Sequence, residues 1–297
     1  METAGIKKYS IPRHIWRAIY PLLVWVGISF FVLMAAGILN FVANILISGM
    51  QLDTAIEVTL TFILEQSLLL TLIGNVIAIL LFALMWRKIR LKLEKYDNSK
   101  LTALSLILTI ILSAALNFFL VAIFGITNIT ELFPSYDYIA EILMSGSLLV
   151  RIISIGIAAP IVEEILCRGI ILNRLSAWMP KWPAILVSSA LFGIVHFNWL
   201  QGLYAFAIGI IFAVLYLRYR NLWIPIISHA AFNLANVILV EVVNYFEIDI
   251  NVFAILIPSA LITIASTIFV LKFTKKAVLI PEPAVEPEAV QYFPPQV

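Results

Sequence analysis

The chain has 297 residues, of which 63% are hydrophobic and 12% are charged, and its formal net charge is +2. The mean hydropathy is +1.06, and the apolar residues come in runs long enough to cross a lipid bilayer. These values exclude a soluble globular domain, and the single cysteine, Cys167, excludes an internal disulfide.

Eight apolar runs predict an all-α membrane protein with eight transmembrane helices. The runs cover approximately residues 18–47, 66–85, 101–126, 147–175, 184–199, 203–217, 223–240 and 252–271. Acidic residues mark three of the predicted loops, which carry Asp53 and Glu57, then Glu131, Asp137 and Glu141, and then Glu241, Glu247 and Asp249. We expect one integral membrane domain over residues 1–280, with its catalytic core at about 147–240. A proline- and glutamate-rich tail, 281–297, is predicted to be disordered.

The basic residues predict how the chain is oriented. If the eight spans alternate in direction, every Lys and Arg except Arg151 lies on the side of the two termini. The positive-inside rule then assigns both termini to the cytoplasm. We expect a multi-pass protein, in a prokaryotic cell membrane.

The fourth span contains charged residues in an otherwise apolar run, Glu163-Glu164-x-x-x-Arg168. Ionisable groups at bilayer depth are costly unless they are paired, so they indicate a functional site. Glu164 and Arg168 are four residues apart and share a helix face, which predicts an ion pair, whereas Glu163 points elsewhere. A purely structural Glu–Arg pair between two membrane helices is the alternative.

Two further polar clusters occur in later spans. His196 follows Phe192 in the fifth span, and His229 and Asn233 share one helix face in the seventh. Counting ~1.5 Å per residue places Glu163 and His196 at equal depths, ~20 Å from the turn that joins their spans. The same count leaves His229 and Asn233 at only ~10 to 15 Å from that side.

These side chains suit hydrolysis without a nucleophilic serine or cysteine. A glutamate and a histidine that converge on one water form a general-base pair, and a histidine and an asparagine can donate hydrogen bonds to an oxyanion. Glu163, His196 and His229 could instead ligate zinc and leave a coordination position for water. The usual His-Glu-x-x-His helix is absent, so we prefer a site without a metal.

The three motifs, Glu163-Glu164-x-x-x-Arg168, Phe192-x-x-x-His196 and His229-x-x-x-Asn233, resemble in order those of the CPBP family. This family comprises CAAX-processing and bacteriocin-processing intramembrane endopeptidases. The resemblance implies that Glu163 and His196 activate water, that His229 and Asn233 stabilise the oxyanion, and that Glu164 and Arg168 support them. It also implies a catalytic cavity open toward the cytoplasm. The family is often described as metalloproteases, so zinc stays an alternative.

Other functions fit the same residues. Glu163 and His196 could relay protons in a transporter, although inverted repeats are not visible. A scaffold or immunity protein could use the polar clusters only to pack helices. For the preferred endopeptidase we expect a membrane-embedded or lipid-modified peptide as substrate, the bilayer as a partner and no nucleic acid.

Overall fold

The computed structural model describes residues 10–91, 96–97, 102–247, 251–273 and 278–279. Within these ranges the chain forms ten helices: α1 (Ile11–Leu46), α2 (Leu52–Glu65), α3 (Ser67–Arg90), α4 (Ala103–Thr127), α5 (Pro134–Met144), α6 (Leu148–Ser176), α7 (Lys181–Ile194), α8 (Trp199–Tyr219), α9 (Trp223–Phe246) and α10 (Val252–Phe273). A 3₁₀ turn, Ile129–Leu132, precedes α5. Two-residue strands, Tyr96–Asp97 and Val278–Leu279, pair antiparallel. The fold is otherwise helical, as predicted.

Six of the described helices, α1, α3, α4, α8, α9 and α10, are long and apolar enough to cross a membrane. A seventh span results if α5 and α6, which meet at a bend of 111°, count as one broken span. Each predicted apolar run overlaps a helix, but eight transmembrane spans are not confirmed. The run 184–199 is helical only up to Ile194, so His196, which was predicted within the fifth span, lies in the turn that follows. The apolar sequence of α6 contains charged residues, although the helix itself is continuous. Helix α7 has only 14 residues. At ~1.5 Å per residue it covers about 21 Å, short of a ~30 Å hydrocarbon core.

Most of the residues predicted to lie in acidic loops are in helices instead. Asp53 and Glu57 belong to α2, Asp137 and Glu141 to α5, and Glu241 to α9. In α2, Ala55 and Thr59 are four residues apart and buried, and the Thr59 hydroxyl donates a hydrogen bond of 3.1 Å to Oδ1 of Asn40 in α1. The charges on α2 therefore mark the outer face of a helix that packs against its neighbour.

Arg151, the one basic residue that the charge pattern assigns to the side opposite the termini, forms an ion pair. Its Nη2 atom lies 2.6 Å from Oε1 of Glu241, which joins the beginning of α6 to the last turns of α9. The cytoplasmic location of the termini stays a prediction. The tail 281–297, Asp249 and seven lysines of the charge pattern lie outside the described residues; the lysines are Lys7, Lys8, Lys92, Lys95, Lys100, Lys275 and Lys276.

Helix α6 lies at the centre of the bundle. Every residue of its segment Ile165–Leu172 is buried, and this segment contacts α1, α3, α7 and α8. Phe82 of α3 belongs to the same apolar cluster. A second cluster lies around Phe212 of α8 and Phe232 of α9 and includes Val270 of α10. The charged motif of α6 is therefore enclosed by helices on most sides.

Candidate active site

The carboxylates lie on a short α-helical segment of α6, Ala159–Glu164, between two π-helical segments. These are Ile152–Ala158 and Ile165–Leu172. Pro160 lies inside α6, directly after the first π-helical segment, where its missing N–H leaves a carbonyl of the preceding turn without a helical donor. Because π-helical turns are rare and often occur at functional sites, α6 has the irregular geometry expected of a helix that positions reactive groups.

The predicted ion pair of Glu164 is present and fully buried. Nη1 of Arg168 donates a hydrogen bond of 2.6 Å to Oε1 of Glu164, and both side chains are 0% exposed. Nη2 of Arg168 donates to the carbonyl oxygen of Gly209 in α8, at 2.8 Å. The guanidinium carbon also lies 4.8 Å from the ring centre of Phe192 and 5.6 Å from that of Phe212. The arginine charge is thus held by a carboxylate, a backbone carbonyl and two aromatic rings.

His229 of α9 contacts both carboxylates. Its Nδ1 atom lies 3.0 Å from Oε1 of Glu164, and its Nε2 atom lies 3.6 Å from Oε2 of Glu163. Phe212 stacks on the imidazole, with ring centres 5.0 Å apart. The depth difference of ~5 to 10 Å expected between His229 and Glu163 is absent, because that count assumed straight α-helices. The π-helical segment Ile165–Leu172 changes the rise of α6 between Glu163 and the turn.

The other two predicted residues also have defined partners. Nδ1 of His196 lies 2.7 Å from the carbonyl oxygen of Phe192, so this nitrogen carries the hydrogen and donates it. In the neutral ring, Nε2 then has the lone pair that can accept a proton. Nδ2 of Asn233 donates to the carbonyl oxygen of Ile155, in the first π-helical segment, at 2.9 Å.

One cavity brings together the four predicted catalytic residues. It has a volume of about 290 Å³ and is lined by Glu163, His196, His229 and Asn233. Glu164, in contrast, is 0% exposed and lies behind His229. The arrangement therefore separates a carboxylate that faces the cavity from one that is held by an arginine.

The cavity has polar residues that the sequence motifs did not indicate. They include Asn75 of α3, Asn117 of α4, Tyr136 of α5, Gln201 and Tyr204 of α8, and Asn236 of α9. A single asparagine in a predicted span does signal an intramembrane polar contact. That signal gives neither its partner nor the direction in which it points, so these residues could not be assigned to the site.

The three alternative zinc ligands do not form a metal site in this geometry. Among the described residues, no group of three or more His, Cys, Asp or Glu side chains is arranged to hold a metal ion. Glu163 and His229 are close, and the contact of the other His229 nitrogen with Glu164 is one that a metal-bound histidine also makes. His196 is not gathered with them into a set of three ligands in this arrangement.

Comparison with known proteins supports the resemblance that the motifs predict. Residues 145–235 match the family described as "Type II CAAX prenyl endopeptidase Rce1-like". A stretch of 127 residues is 36% identical to "Putative membrane peptidase YdiL" of Bacillus subtilis (strain 168). This stretch covers 42% of the chain and 50% of the relative, so the match spans about half the relative's length. No solved structure matches the chain significantly. The predicted resemblance to CAAX-processing membrane proteases is confirmed, and the matched segment contains all three motifs.

Proposed function

We propose that this multi-pass membrane protein, which is similar to membrane CAAX-type proteases, is a glutamate-dependent intramembrane endopeptidase. The observation that carries the proposal is the contrast between the two adjacent carboxylates. Glu164 is neutralised by Arg168, while Glu163 faces a cavity that it shares with His196, His229 and Asn233. General-base chemistry needs such a carboxylate, one that is not held by a permanent cation.

In the proposed reaction, a water in the cavity loses a proton to Glu163 while Nε2 of His196 accepts its second hydrogen bond. The resulting hydroxide attacks the carbonyl carbon of the scissile peptide bond. The carbonyl oxygen becomes an oxyanion, which His229 and Asn233 stabilise by donating hydrogen bonds. Glu163 then returns the proton to the amide nitrogen, the C–N bond breaks, and an amine and a carboxylic acid form; the acid loses its remaining proton to water after it leaves the site.

The support residues act through His229. Because Nδ1 faces the Glu164 carboxylate, this nitrogen donates its hydrogen there. Donation from Nε2 as well requires an imidazolium, which has a hydrogen on both nitrogens. Glu163 and Glu164 face the two nitrogens and so balance the charge of that form. Arg168 keeps Glu164 in place, and Phe212 limits rotation of the ring by stacking on it.

The proposed substrate is a membrane-embedded or lipid-modified peptide. The name of the matched family supports a prenylated C-terminal peptide as one case. The apolar helices around the cavity favour substrates that arrive through the bilayer. We further propose that the reaction needs no metal ion, since protein groups can serve as the base, the acid and the oxyanion donors.

The deciding experiment compares cells that carry the wild type or the Glu163→Gln variant, which keeps the shape of the side chain and removes its basicity. Mass spectrometry of protein termini and released peptides would identify cleavage products. We expect a set of new termini that the wild type produces and Glu163→Gln does not. Glu65→Gln is the matched control, because Glu65 is exposed at the end of α2.

Identical termini in the wild type and Glu163→Gln, with both proteins folded and abundant, would refute the protease. That result would favour a proton-coupled transporter or a scaffold. Loss of products in Glu65→Gln as well would show that the difference reflects expression rather than chemistry.

A further inference from the structure

Contacts between helix ends distinguish the two ends of the bundle. Near the start of α1, the ring of His14 stacks on that of Trp178, which lies two residues after the end of α6, with ring centres 5.1 Å apart. Asn173, near the end of α6, donates a hydrogen bond to the hydroxyl of Tyr216, near the end of α8. We call this the basic end of the bundle. Apart from Arg151 and Arg168, the described Lys and Arg residues lie toward it, and they are Arg13, Arg17, Arg87, Lys88, Arg90, Arg174, Lys181, Arg218, Arg220 and Lys272.

The starts of α3, α6 and α8 lie together with α5 at the opposite end. The hydroxyl of Ser154, in the first turns of α6, donates a hydrogen bond of 3.2 Å to the carbonyl oxygen of Leu68, in the first turn of α3. Asn198, just before α8, donates one of 3.1 Å to the hydroxyl of Ser135 in α5. We call this the acidic end of the bundle. The acidic residues near these contacts are Glu65, Asp137, Glu141 and Glu241.

The wall of the cavity comes from the half of the bundle toward the acidic end. Its α3 residues are Leu68, Thr71 and Asn75, and all three belong to the first half of that helix. Helix α5 contributes Tyr136 and Leu143, although this helix lies entirely at the acidic end. The cavity therefore extends from the catalytic residues toward the acidic end.

The floor of the cavity lies toward the basic end and is closed. In α6 the last lining residue is Glu163, and the segment that follows toward the basic end, Ile165–Leu172, is buried throughout. The lining residues at this depth have little exposure: Glu163 is 9% exposed, His229 is 5% exposed and Phe212 is 0% exposed. A peptide thus has no path to Glu163 along α6 from the basic end.

The lining residues nearer the acidic end are more exposed. Thr71 of α3 is exposed, and Leu143 of α5 is half-buried. His196, in the turn after α7, and Gln201, in the first turn of α8, are also half-buried. Because exposure rises from the floor toward these residues, the mouth of the cavity is at the acidic end, and α5 forms part of its rim.

We propose that the substrate enters this cavity from the acidic end, and that this end faces the extracytoplasmic side of the membrane. The positive-inside rule assigns the basic end to the cytoplasm. The substrate is then a membrane-associated peptide whose scissile bond lies in the extracytoplasmic half of the bilayer or at its surface. This is the reverse of the cytoplasmic opening that the family resemblance implies. The inference rests on the proposed protease function and adds to it the side on which the substrate is presented.

Cysteine labelling tests the side of the mouth without any need for cleavage. The chain has one cysteine, Cys167, which is 0% exposed and serves as an unlabelled background. The probe position is Leu143→Cys, and the reagent is a sulfonated maleimide that does not cross membranes, applied to intact cells that express the full chain. Two matched controls mark the ends: Leu91→Cys, 78% exposed after α3 at the basic end, and Tyr245→Cys, 81% exposed in the last turn of α9 at the acidic end.

We expect labelling of Leu143→Cys and Tyr245→Cys in intact cells, and labelling of Leu91→Cys only after the membrane is permeabilised. Leu143→Cys that reacts only after permeabilisation, or not at all, while Tyr245→Cys reacts in intact cells would overturn the proposed mouth. Labelling of Leu91→Cys in intact cells would overturn the extracytoplasmic assignment. If Leu143→Cys does not accumulate, Gln201→Cys, at another half-buried position of the cavity, replaces it.

A second measurement tests entry of the substrate. A synthetic peptide that spans a Glu163-dependent cleavage site, extended by a charged tag that prevents its passage across the bilayer, is added to sealed vesicles of either orientation. Right-side-out vesicles should cleave it, and inside-out vesicles should cleave it only after detergent opens them. Cleavage by sealed inside-out vesicles would overturn the proposed entry side. Absence of cleavage even in detergent would overturn the protease, while the labelling result would still locate the mouth of the cavity.

Discussion

Glu164 and His229 are 65 residues apart in the chain, and Oε1 of the first lies 3.0 Å from Nδ1 of the second. The same oxygen accepts a hydrogen bond from Arg168. Because Glu163 lies near the other imidazole nitrogen, two consecutive glutamates contact opposite edges of one ring. The position of His229 therefore depends on a residue that does not itself face the cavity.

Loss of the Glu164 charge should destabilise the fold. Glu164→Gln leaves the Arg168 charge buried without a carboxylate, and breaking such a pair costs about 3–5 kcal/mol. We expect a lower Tm and a lower yield of monodisperse protein in detergent. Glu241→Gln is the control, since the side chain of Glu241 is 35% exposed in its pair with Arg151 and should cost less. An unchanged Tm for Glu164→Gln would contradict the pairing.

Removal of the Asn233 side chain should slow the chemical step. If Asn233 donates to the oxyanion, Asn233→Ala lowers kcat about 10²- to 10³-fold and changes KM little. Steady-state kinetics on the peptide of a Glu163-dependent site would measure both constants. Asn236→Ala, at another residue that lines the same cavity, should keep kcat near the wild-type value. A rise in KM alone for Asn233→Ala would assign this residue to substrate positioning instead.

The hairpin of α7 and α8 should not tolerate a side chain at Gly193. A Cβ atom there would lie 2.5 Å from the backbone oxygen of Gly202, which cannot rotate away. We expect Gly193→Ala to lower stability by about 1–3 kcal/mol and to reduce activity, because His196 follows directly after α7. Gly27→Ala is the matched control, since nothing lies within 4 Å of its Cβ position. Equal Tm values for the two variants would contradict this packing.

Trp25 should affect catalysis through Asn75. Trp25→Phe removes the donor that orients the carboxamide, and we expect KM to rise about fivefold, the effect of ~1 kcal/mol. Asn75→Leu should raise KM by a similar factor and the double variant should show no further rise, which a purely structural tryptophan would not cause. Trp16→Phe, at an exposed position of α1, should match the wild type. A lower Tm with unchanged KM would show that Trp25 only packs helices.

Hydrolysis should be insensitive to metal removal. Treatment with 1,10-phenanthroline is expected to leave the rate of peptide cleavage unchanged, because no step of the proposed reaction uses a metal. Elemental analysis of the purified protein should find zinc below stoichiometric amounts. Stoichiometric zinc that disappears in His196→Ala would contradict the metal-free mechanism.

Hydropathy was sufficient to locate the six helices that are long and apolar enough to cross a membrane. It was misleading for helices that are too short to span the bilayer or that carry acidic residues. Helix α7 has the composition of a span but only 14 residues. Helices α2 and α5 carry acidic residues that suggested loops, although their spacing permits a helix with one packed face. A window average cannot distinguish a short amphipathic helix from a polar connection.

The candidate site was predictable to the extent that local spacing determines it. The four-residue separation of Glu164 and Arg168 predicted their contact, which depends only on helix geometry. The contact of His229 with Glu163 depends instead on how α6 and α9 pack. The contribution of Asn75 depends on α1, which carries none of the motifs. Their roles in catalysis stay predictions until the variants are measured.

The π-helical segment Ile165–Leu172 lies between two functional positions of α6, so the number of residues in it affects how those positions are oriented. Asn173, after this segment, donates a hydrogen bond of 2.8 Å to the hydroxyl of Tyr216, while Glu163, before it, faces the cavity. In a regular α-helix each residue turns the chain by about 100°. The π-helical segment turns the chain by less per residue, so the number of residues in it, and not only their polar side chains, sets the angle between the helix faces that carry Glu163 and Asn173.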